Sequence, residues 1–372
     1  MAGEACDLCT ARAALLQSLS PLIELVATRE PGSRVRELLG LEDAELTRAL
    51  TRGKSARLER NRAPTTDEVR SRLNESKLWS TCRHRDDYPA RLHDLGTQAP
   101  AALFGRGDRG LLERVQQELA VSVVGSRRAS AYGLTTASAL AGSLAGAQVI
   151  VISGLAHGVD SAAHEGALSS EGSTIAVLGA GAERCYPRGQ WRLYERIAAT
   201  GLVISELPPE SRPYRWTFPA RNRIMAALAQ LTVVVEAALR SGSLITAEMA
   251  LDLGREVGAV PGPVSSARHQ GANALLADGA RFIRGGQDVL DVLCGPGERQ
   301  LVEHGPELSA GAASVLSRLE AGDSPDAIAV VLTTPAAKIA TALAQIERLG
   351  YVESDPAGRY RRTALRTPPP PS

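Results

Sequence analysis

Aromatic residues, lysines and net charge are all scarce in this sequence. Only 3% of its 372 residues are aromatic, and its formal net charge at pH 7 is +1. Without a strong overall field, the composition does not indicate nucleic acid or a membrane surface as a partner. Of 42 cationic side chains only three are lysines, so phosphate contacts would fall to arginine, whose planar guanidinium binds phosphate bidentately. A GC-rich genome produces the same bias, so arginine usage alone assigns no function.

Long apolar runs are missing as well. No segment reaches the ~20 residues of a membrane span, and no hydrophobic leader follows Met1. We therefore expect a cytoplasmic protein without a membrane partner. The five cysteines are an odd, scattered set, which predicts reduced thiols. Cys6-x-x-Cys9 and Cys82-x-His84 could in principle bind zinc, but neither spacing is specific, and we predict no metal and no cofactor.

Different periodicities along the chain predict its domains. Apolar residues at helical spacing fill residues 1–75 and indicate a helical, sterile-alpha-motif-like domain. Apolar β-branched runs alternate with helices over 76–294. They predict an α/β fold, an extended Rossmann-like domain with a parallel sheet covered on both faces. The predicted strands are 121–125, 149–153, 174–178, 202–205, 231–235 and 257–260.

The C-terminal part of the sequence predicts a linker and a small domain. A Pro- and Gly-containing linker over 295–308 precedes three helical patterns and a hairpin pattern at 309–363. Three helices followed by a two-stranded hairpin are typical of a winged helix. The proline-rich residues 364–372 predict a disordered tail.

Four loops rich in Gly, Ser and Arg are predicted at one edge of the sheet. They span 125–128, 153–160, 218–223 and 241–246, and each of the last two opens a helix. Helix N-termini present unpaired N–H groups and a partial positive charge, which suit phosphate oxygens. Ligands of open parallel sheets bind at the carboxyl ends of the strands. Together the four loops therefore predict a phosphate-binding edge.

Aromatic residues, though rare, cluster beside these loops at Tyr186, Tyr214, Trp216 and Phe218. Aromatic faces next to guanidiniums bind single-stranded nucleic acid, because bases stack on the rings while arginines contact phosphates. The alternative is that the four rings are core residues. The prolines and arginines around them favour a partly exposed loop with a function.

No catalytic motif accompanies these loops. Gly179-Ala-Gly-Ala-Glu-Arg184 follows a strand, but an arginine replaces the third glycine of a dinucleotide fingerprint. His157, Asp160 and His164 could form an acid–base set. Asp160 is better placed, however, to accept hydrogen bonds from N–H groups near a helix start, which leaves His164 as a surface or packing residue. We predict no catalytic residue and no enzymatic activity.

The order of the motifs resembles that of the DNA-processing family DprA, also called Smf. The match runs from about residue 88 to residue 293. The motifs that carry it include Val124-Gly-Ser-Arg127, Ile152-Ser-Gly-Leu-Ala-His-Gly-Val-Asp160, Tyr186-Pro187, Phe218-Pro-Ala-Arg-Asn-Arg-Ile224, Ser241-Gly-Ser-Leu-Ile-Thr-Ala247 and Val260-Pro-Gly262. The resemblance implies a homodimeric protein that binds and protects single-stranded DNA. It also implies that the protein helps to load a RecA-type recombinase during natural transformation.

The resemblance also implies which residues contact DNA. The loop that begins at Gly125 would contact phosphate, and Gly154 would allow close backbone approach. The Arg-Asn-Arg cluster would supply charge and orientation at the site. The residues expected to contact DNA are Ser126, Arg127, Gly154, Phe218, Arg221, Asn222, Arg223, Ser241, Gly242, Ser243 and Thr246.

Two other classes of function remain open at this point. A Rossmann-like nucleotide phosphoribohydrolase would also use a Gly-rich loop before a helix with a downstream glutamate, here Glu248, although its Pro-Gly-Gly opening is missing. A winged-helix regulator with a ligand-sensing domain would prefer one duplex sequence over single strands.

Overall fold

The computed structural model describes residues 4–27, 33–51, 62–301, 306–355, 358–363 and 365. The chain divides into two units, Met1–Gln300 and Leu301–Ser372. Their boundary falls within the predicted linker 295–308, of which residues 302–305 lie outside the described residues. Of the predicted disordered tail, only Leu365 is described. The finer domain boundaries stay predictions.

The first unit is built on one nine-stranded sheet. Its strands are β1 (Trp79–Cys82), β2 (Ala102–Gly107), β3 (Ala120–Val124), β4 (Ile150–Ser153), β5 (Thr174–Val177), β6 (Leu202–Ser205), β7 (Leu231–Val234), β8 (Glu256–Ala259) and β9 (Arg281–Phe282). They lie side by side in the order β1-β2-β6-β5-β4-β3-β7-β8-β9. The pairs β1–β2 and β2–β6 are antiparallel, and the other neighbours are parallel. The predicted α/β, Rossmann-like sheet is confirmed.

The central strands are the ones that the sequence predicted. All residues of β3 to β7 are buried, which explains why these strands are mostly apolar, since a strand covered on both faces has no solvent-facing side. The strands β1, β2 and β9 were not predicted. The first contains two polar residues and the last has only two residues, both exposed, so neither produces an apolar run.

Among the described residues, four helices precede the first strand, and the others lie between or after the strands. The helices are α1 (Asp7–Ala27), α2 (Ser33–Leu39), α3 (Asp43–Thr51), α4 (Thr66–Glu75), α5 (Leu111–Gln117), α6 (Ala131–Gly146), α7 (Val159–Ser169), α8 (Trp191–Thr200), α9 (Thr217–Leu228), α10 (Gly242–Asp252), α11 (Gln270–Ala277) and α12 (Gly286–Cys294). Short 3-10 segments lie at Ala90–Gln98 and Arg188–Gln190. Within the described part of the chain, no helix has the length and apolar character needed to cross a membrane.

The order of the sheet reverses at β3. From β3 the chain adds β4, β5 and β6 on one side, and later adds β7, β8 and β9 on the other. The loops that leave the carboxyl ends of β3 and β7 therefore diverge, which opens a crevice between them. This topology determines where a ligand site can form.

The first three helices share an apolar core with the segment that precedes α9. Trp216 is completely buried in this core, among Leu19 and Ile23 of α1 and residues of α2 and α3. The Trp216 backbone N–H donates a hydrogen bond to the Glu24 carboxylate at 3.1 Å. Our expectation of an exposed aromatic loop is therefore wrong at Trp216, whose ring anchors the loop instead of facing solvent.

The second unit contains α13 (Ala310–Glu320), α14 (Pro325–Val331), α15 (Ala336–Arg348) and the antiparallel hairpin β10 (Val352–Ser354) with β11 (Tyr360–Arg362). Ser309 and Ser324 cap α13 and α14, as expected for hydroxyl side chains at helix starts. The turn residues 356 and 357 lie outside the described residues. The element order is the expected one, and the winged-helix assignment stays a prediction.

Candidate functional site

A cavity of about 510 Å³ opens at the reversal point of the sheet. The loop after β3, the start of α7, the first half of α9 and the N-terminal turns of α10 line it. The predicted site residues in this lining are Ser126, Arg127, Phe218, Arg221, Asn222, Ser241, Gly242, Ser243 and Thr246. Gly154 and Arg223, which were also predicted, are not part of the lining.

The loop after β3 holds Arg127 at the mouth of the cavity. The Ser126 N–H donates to the Glu236 carbonyl at 2.7 Å, and the Ser126 hydroxyl accepts from the Arg128 N–H at 3.1 Å. With its backbone fixed on both sides, the loop projects the exposed Arg127 side chain over the Phe218 ring, 4.7 Å from its centroid. This geometry is a cation–π contact, and it leaves the guanidinium edge available to an anion.

Sequence reasoning gave Glu236 no role, although it supports this loop. Its side chain is completely buried at the end of β7 and accepts hydrogen bonds from the Ser130 N–H at 3.1 Å and from the Ser130 hydroxyl. His269 Nε2 lies 3.6 Å from the same carboxylate. The signal was a carboxylate directly after an apolar strand, where a buried charge requires partners.

Phe218 and Tyr186 form the aromatic part of the site. Their ring centroids lie 5.6 Å apart with a tilt of 36° between the planes. Tyr186 is exposed and Phe218 is half-buried. Arg127 and Phe218, which line the cavity, and Tyr186 beside them therefore form a short row of planar groups, which suits the stacking of flat rings.

We expected the Arg-Asn-Arg cluster to open a helix. The helix α9 begins earlier, at Thr217, so the cluster lies inside it. Arg221 is buried. Its Nη1 donates to the Gly154 carbonyl and, at 2.5 Å, to the Val177 carbonyl, while its Nε donates to Asn222 Oδ1 at 3.0 Å. Burial lowers the pKa of Arg221 to about 10, so the group is protonated at neutral pH. Arg221 thus joins two strand ends beneath the cavity.

Asp160 is the carboxylate beneath the cavity. It accepts hydrogen bonds from the Gly154 N–H at 3.2 Å and the Ala156 N–H at 3.4 Å, as the sequence predicted for a residue near a helix start. Burial raises the pKa of Asp160, and the charge of Arg221, 3.6 Å away, opposes that shift. His164 is buried, with Nδ1 2.7 Å from Thr174 Oγ1, so it is a packing residue.

Arg223 points away from the cavity. Its guanidinium forms a two-point ion pair with the Glu206 carboxylate, at 3.1 Å and 2.6 Å, and donates to the Ala220 carbonyl at 2.8 Å. Both side chains of the pair are buried, at 2% and 5% exposure. The structure therefore separates Arg223 from the other predicted site residues. The physical reason is helical spacing, since residues two apart project about 200° apart around a helix.

The space above Gly154 is filled by protein. A Cβ atom at this position would overlap the Arg221 guanidinium. We expected Gly154 to allow a ligand backbone to approach, and the group that approaches is instead Arg221. Gly154 therefore acts on the site through the placement of Arg221.

We predict that Gly154→Ala lowers the free energy of unfolding by about 1–3 kcal/mol, the usual cost of overpacking a buried site. Urea denaturation measures the change. Gly146→Ala is the matched control, because a Cβ there meets no atom within 4 Å and alanine favours the helix. Equal stability of the two variants would contradict the assigned role of Gly154.

The N-terminal end of α10 forms the opposite wall of the cavity. The Ser241 hydroxyl caps the helix by accepting from the Ser243 N–H. Thr246, one turn further on, is buried, and its Oγ1 has no hydrogen-bond partner among the described residues. A buried hydroxyl without a partner beside a helix N-terminus is suited to donate to an anion in the cavity.

Arg128 and Arg240 also line the cavity. Neither was named as a DNA contact, although Arg128 belongs to the predicted loop 125–128. Both are exposed, as is Arg127. Within the ranges that the structure describes, none of the three guanidiniums is in an ion pair with a carboxylate. Since Asp160 is the one acidic residue in the lining, the cavity carries a net positive charge.

Comparison with known proteins gives a family match for the sheet-containing unit. Residues 79–294 match the family model described as DNA recombination-mediator protein A. The putative DNA processing protein DprA of Mycobacterium tuberculosis is 44% identical over 232 residues, which cover 62% of this chain and 58% of that protein. The match therefore spans less than two thirds of the mycobacterial relative.

Two solved structures share the fold. DNA processing protein A from Streptococcus pneumoniae has a TM-score of 0.57 at 34% identity, with 74% of this chain and 95% of that chain covered. DNA processing protein A from Helicobacter pylori has a TM-score of 0.52 at 28% identity, with 58% and 95% covered. The Helicobacter pylori structure was described for the single-stranded DNA binding mode of that protein.

Proposed function

The chain belongs to the DNA recombination-mediator protein A family, also named DprA or Smf, and from this membership we propose that it binds single-stranded DNA. We further propose that it protects the strand and promotes loading of a RecA-type recombinase in DNA uptake. A homodimer in the cytoplasm is part of this proposal. The protein would act by binding, without a catalytic step.

The cationic cavity is the observation that carries the proposal. Arg127, Arg128 and Arg240 surround a helix N-terminus, and each has its guanidinium available for a phosphate. Beside them, Phe218 lines the cavity and contacts the exposed ring of Tyr186. A single nucleotide would use one part of this surface, whereas a strand would use the charged cavity for phosphates and the rings for bases.

The position of Glu248 supports binding over hydrolysis. A phosphoribohydrolase would need this glutamate at its substrate, but Glu248 is exposed, does not line the cavity, and lies 3.7 Å from Arg36. Asp160 is already occupied by Arg221 and two N–H groups. Incubation with nucleoside monophosphates should therefore release no free base. Release of free base at a steady rate would favour the enzyme.

We predict that Arg127→Ala reduces affinity for single-stranded DNA and flattens its dependence on salt. Each lost phosphate contact lowers the slope of log K against log salt by about 0.7 for a single strand. Fluorescence anisotropy with a labelled oligonucleotide at four salt concentrations measures both quantities. The same series with duplex DNA tests the preference for single strands.

Arg114→Ala is the matched control for this experiment. Arg114 lies on α5, which leads into the amino end of β3, at the opposite edge of the sheet from the cavity. It pairs with Glu118 at 2.9 Å. The control should keep the affinity and the slope of the unmodified protein. Equal slopes for Arg127→Ala and the unmodified protein would contradict the phosphate assignment.

A further inference from the structure

Four metal-binding side chains from two distant parts of the chain meet at the start of α1. Cys6 and Cys9 lie at the N-terminal end of this helix, Cys82 ends β1, and His84 follows in the next turn. Their ligand atoms, three sulfurs and one ring nitrogen, all lie within 4.8 Å of one another. In the sequence the two pairs are far apart and neither is specific, so only folding shows that they form one cluster.

The distances within the cluster are those of ligands that share one ion. His84 Nδ1 lies 3.4 Å from Cys6 Sγ and 3.4 Å from Cys9 Sγ. With Zn–S near 2.3 Å and Zn–N near 2.0 Å, a tetrahedral angle places sulfur and nitrogen ligands about 3.5 Å apart. The observed separations agree with this value.

The surroundings of the cluster fit bound thiolates. The Cys6 N–H donates to Cys82 Sγ at 3.4 Å, and such outer hydrogen bonds orient and stabilise metal ligands. A second contact, from the Ala5 N–H to Ser80 Oγ at 3.1 Å, holds the same segment against β1. Cys9 and Cys82 are buried in an apolar cluster, and no disulfide joins the described cysteines.

We propose that Cys6, Cys9, Cys82 and His84 bind one zinc ion in a structural site. Three thiolates and one imidazole are a donor set of structural zinc, whereas magnesium and calcium prefer oxygen. The protein fills all four positions, so none remains for water or substrate, as a catalytic zinc would require. The ion fastens the start of α1 to the edge strand β1. This proposal is independent of the proposed DNA binding.

Metal analysis of the full-length protein tests the site. Protein purified without chelators or metal-affinity resin should contain about one zinc ion per chain. After zinc removal under reducing conditions, titration with Co²⁺ should give thiolate-to-cobalt charge-transfer bands and the visible absorption of tetrahedral cobalt. Because the titration uses the unmodified chain, it tests the site even where a variant fails to fold.

Variants identify the ligands. Cys9→Ser and His84→Ala should lose most of the zinc, while His84→Cys should retain it and shift the cobalt spectrum toward that of four thiolates. Cys294→Ser is the matched control, since this cysteine lies on α12 outside the cluster, and it should keep one zinc per chain.

Several outcomes would overturn the proposal. They are less than a tenth of an equivalent of zinc together with no tetrahedral cobalt bands, iron in place of zinc, or an intact mass that shows a disulfide in the freshly purified protein. Equal metal loss in Cys294→Ser and Cys9→Ser would also overturn it.

Discussion

Gly242→Asp should lower the affinity for single-stranded DNA on the order of 30-fold, equivalent to about 2 kcal/mol. Gly242 is the first residue of α10 and lines the cationic cavity. A carboxylate there would meet the DNA phosphates as a like charge, at the helix end that otherwise attracts them. Fluorescence anisotropy at fixed, low salt measures the loss, and it should shrink as salt rises.

This variant tests charge without disturbing the fold. A Cβ at Gly242 meets no atom within 4 Å, and an aspartate in the first turn favours the helix dipole, so the free energy of unfolding should not fall. Gly242→Asn is the control of nearly equal shape, and its affinity should stay within about threefold of the unmodified protein, a difference under 1 kcal/mol. Equal losses for Asp and Asn would mean that volume matters there and not charge.

Arg223→Met should lower the free energy of unfolding by about 3–5 kcal/mol, because it leaves the buried Glu206 carboxylate without its partner. Urea denaturation followed by tryptophan fluorescence measures the change, since Trp216 is buried in the folded chain. The double variant with Glu206→Leu should recover most of the stability, as apolar replacements of buried ion pairs often do.

The double variant also separates a structural role of Arg223 from a DNA contact. If the arginine only holds Glu206, the double variant binds single-stranded DNA as the unmodified protein does. A stable double variant with strongly reduced affinity would instead place Arg223 at the DNA and contradict its assignment to the ion pair. The loss of affinity in Arg127→Ala is the reference for the loss expected when a DNA contact is removed.

The sequence predicted the sheet well because each buried strand can be recognised from its own few residues. Buried parallel strands are rich in apolar and β-branched residues, and the strands from β3 to β8 show such runs with few polar interruptions. The position of the candidate site followed from the same pattern, because the loops that follow the carboxyl ends of parallel strands lie at one edge of the sheet. Ser241 and Thr246, predicted from a loop motif, do line the cavity.

Other features depend on long-range packing, which no local pattern reports. Arg221 and Arg223 look equivalent in sequence, yet one supports the cavity and the other pairs with Glu206. The sequence suggested that Trp216 lies in an exposed loop, but it is buried against helices from the start of the chain, and no local pattern predicts that contact. The Cys-Cys-Cys-His cluster likewise forms only because the start of α1 packs against the end of β1.

The burial of Trp216 has a consequence for how the chain can be divided. The family match begins at residue 79, but the side chains that cover this indole come from α1, α2 and α3. A fragment cut at the start of the shared region would expose an apolar surface directly before Phe218 and invite aggregation. The start of the family match in this protein is therefore not a boundary of folding, and any shortened form must supply another cover for the same ring.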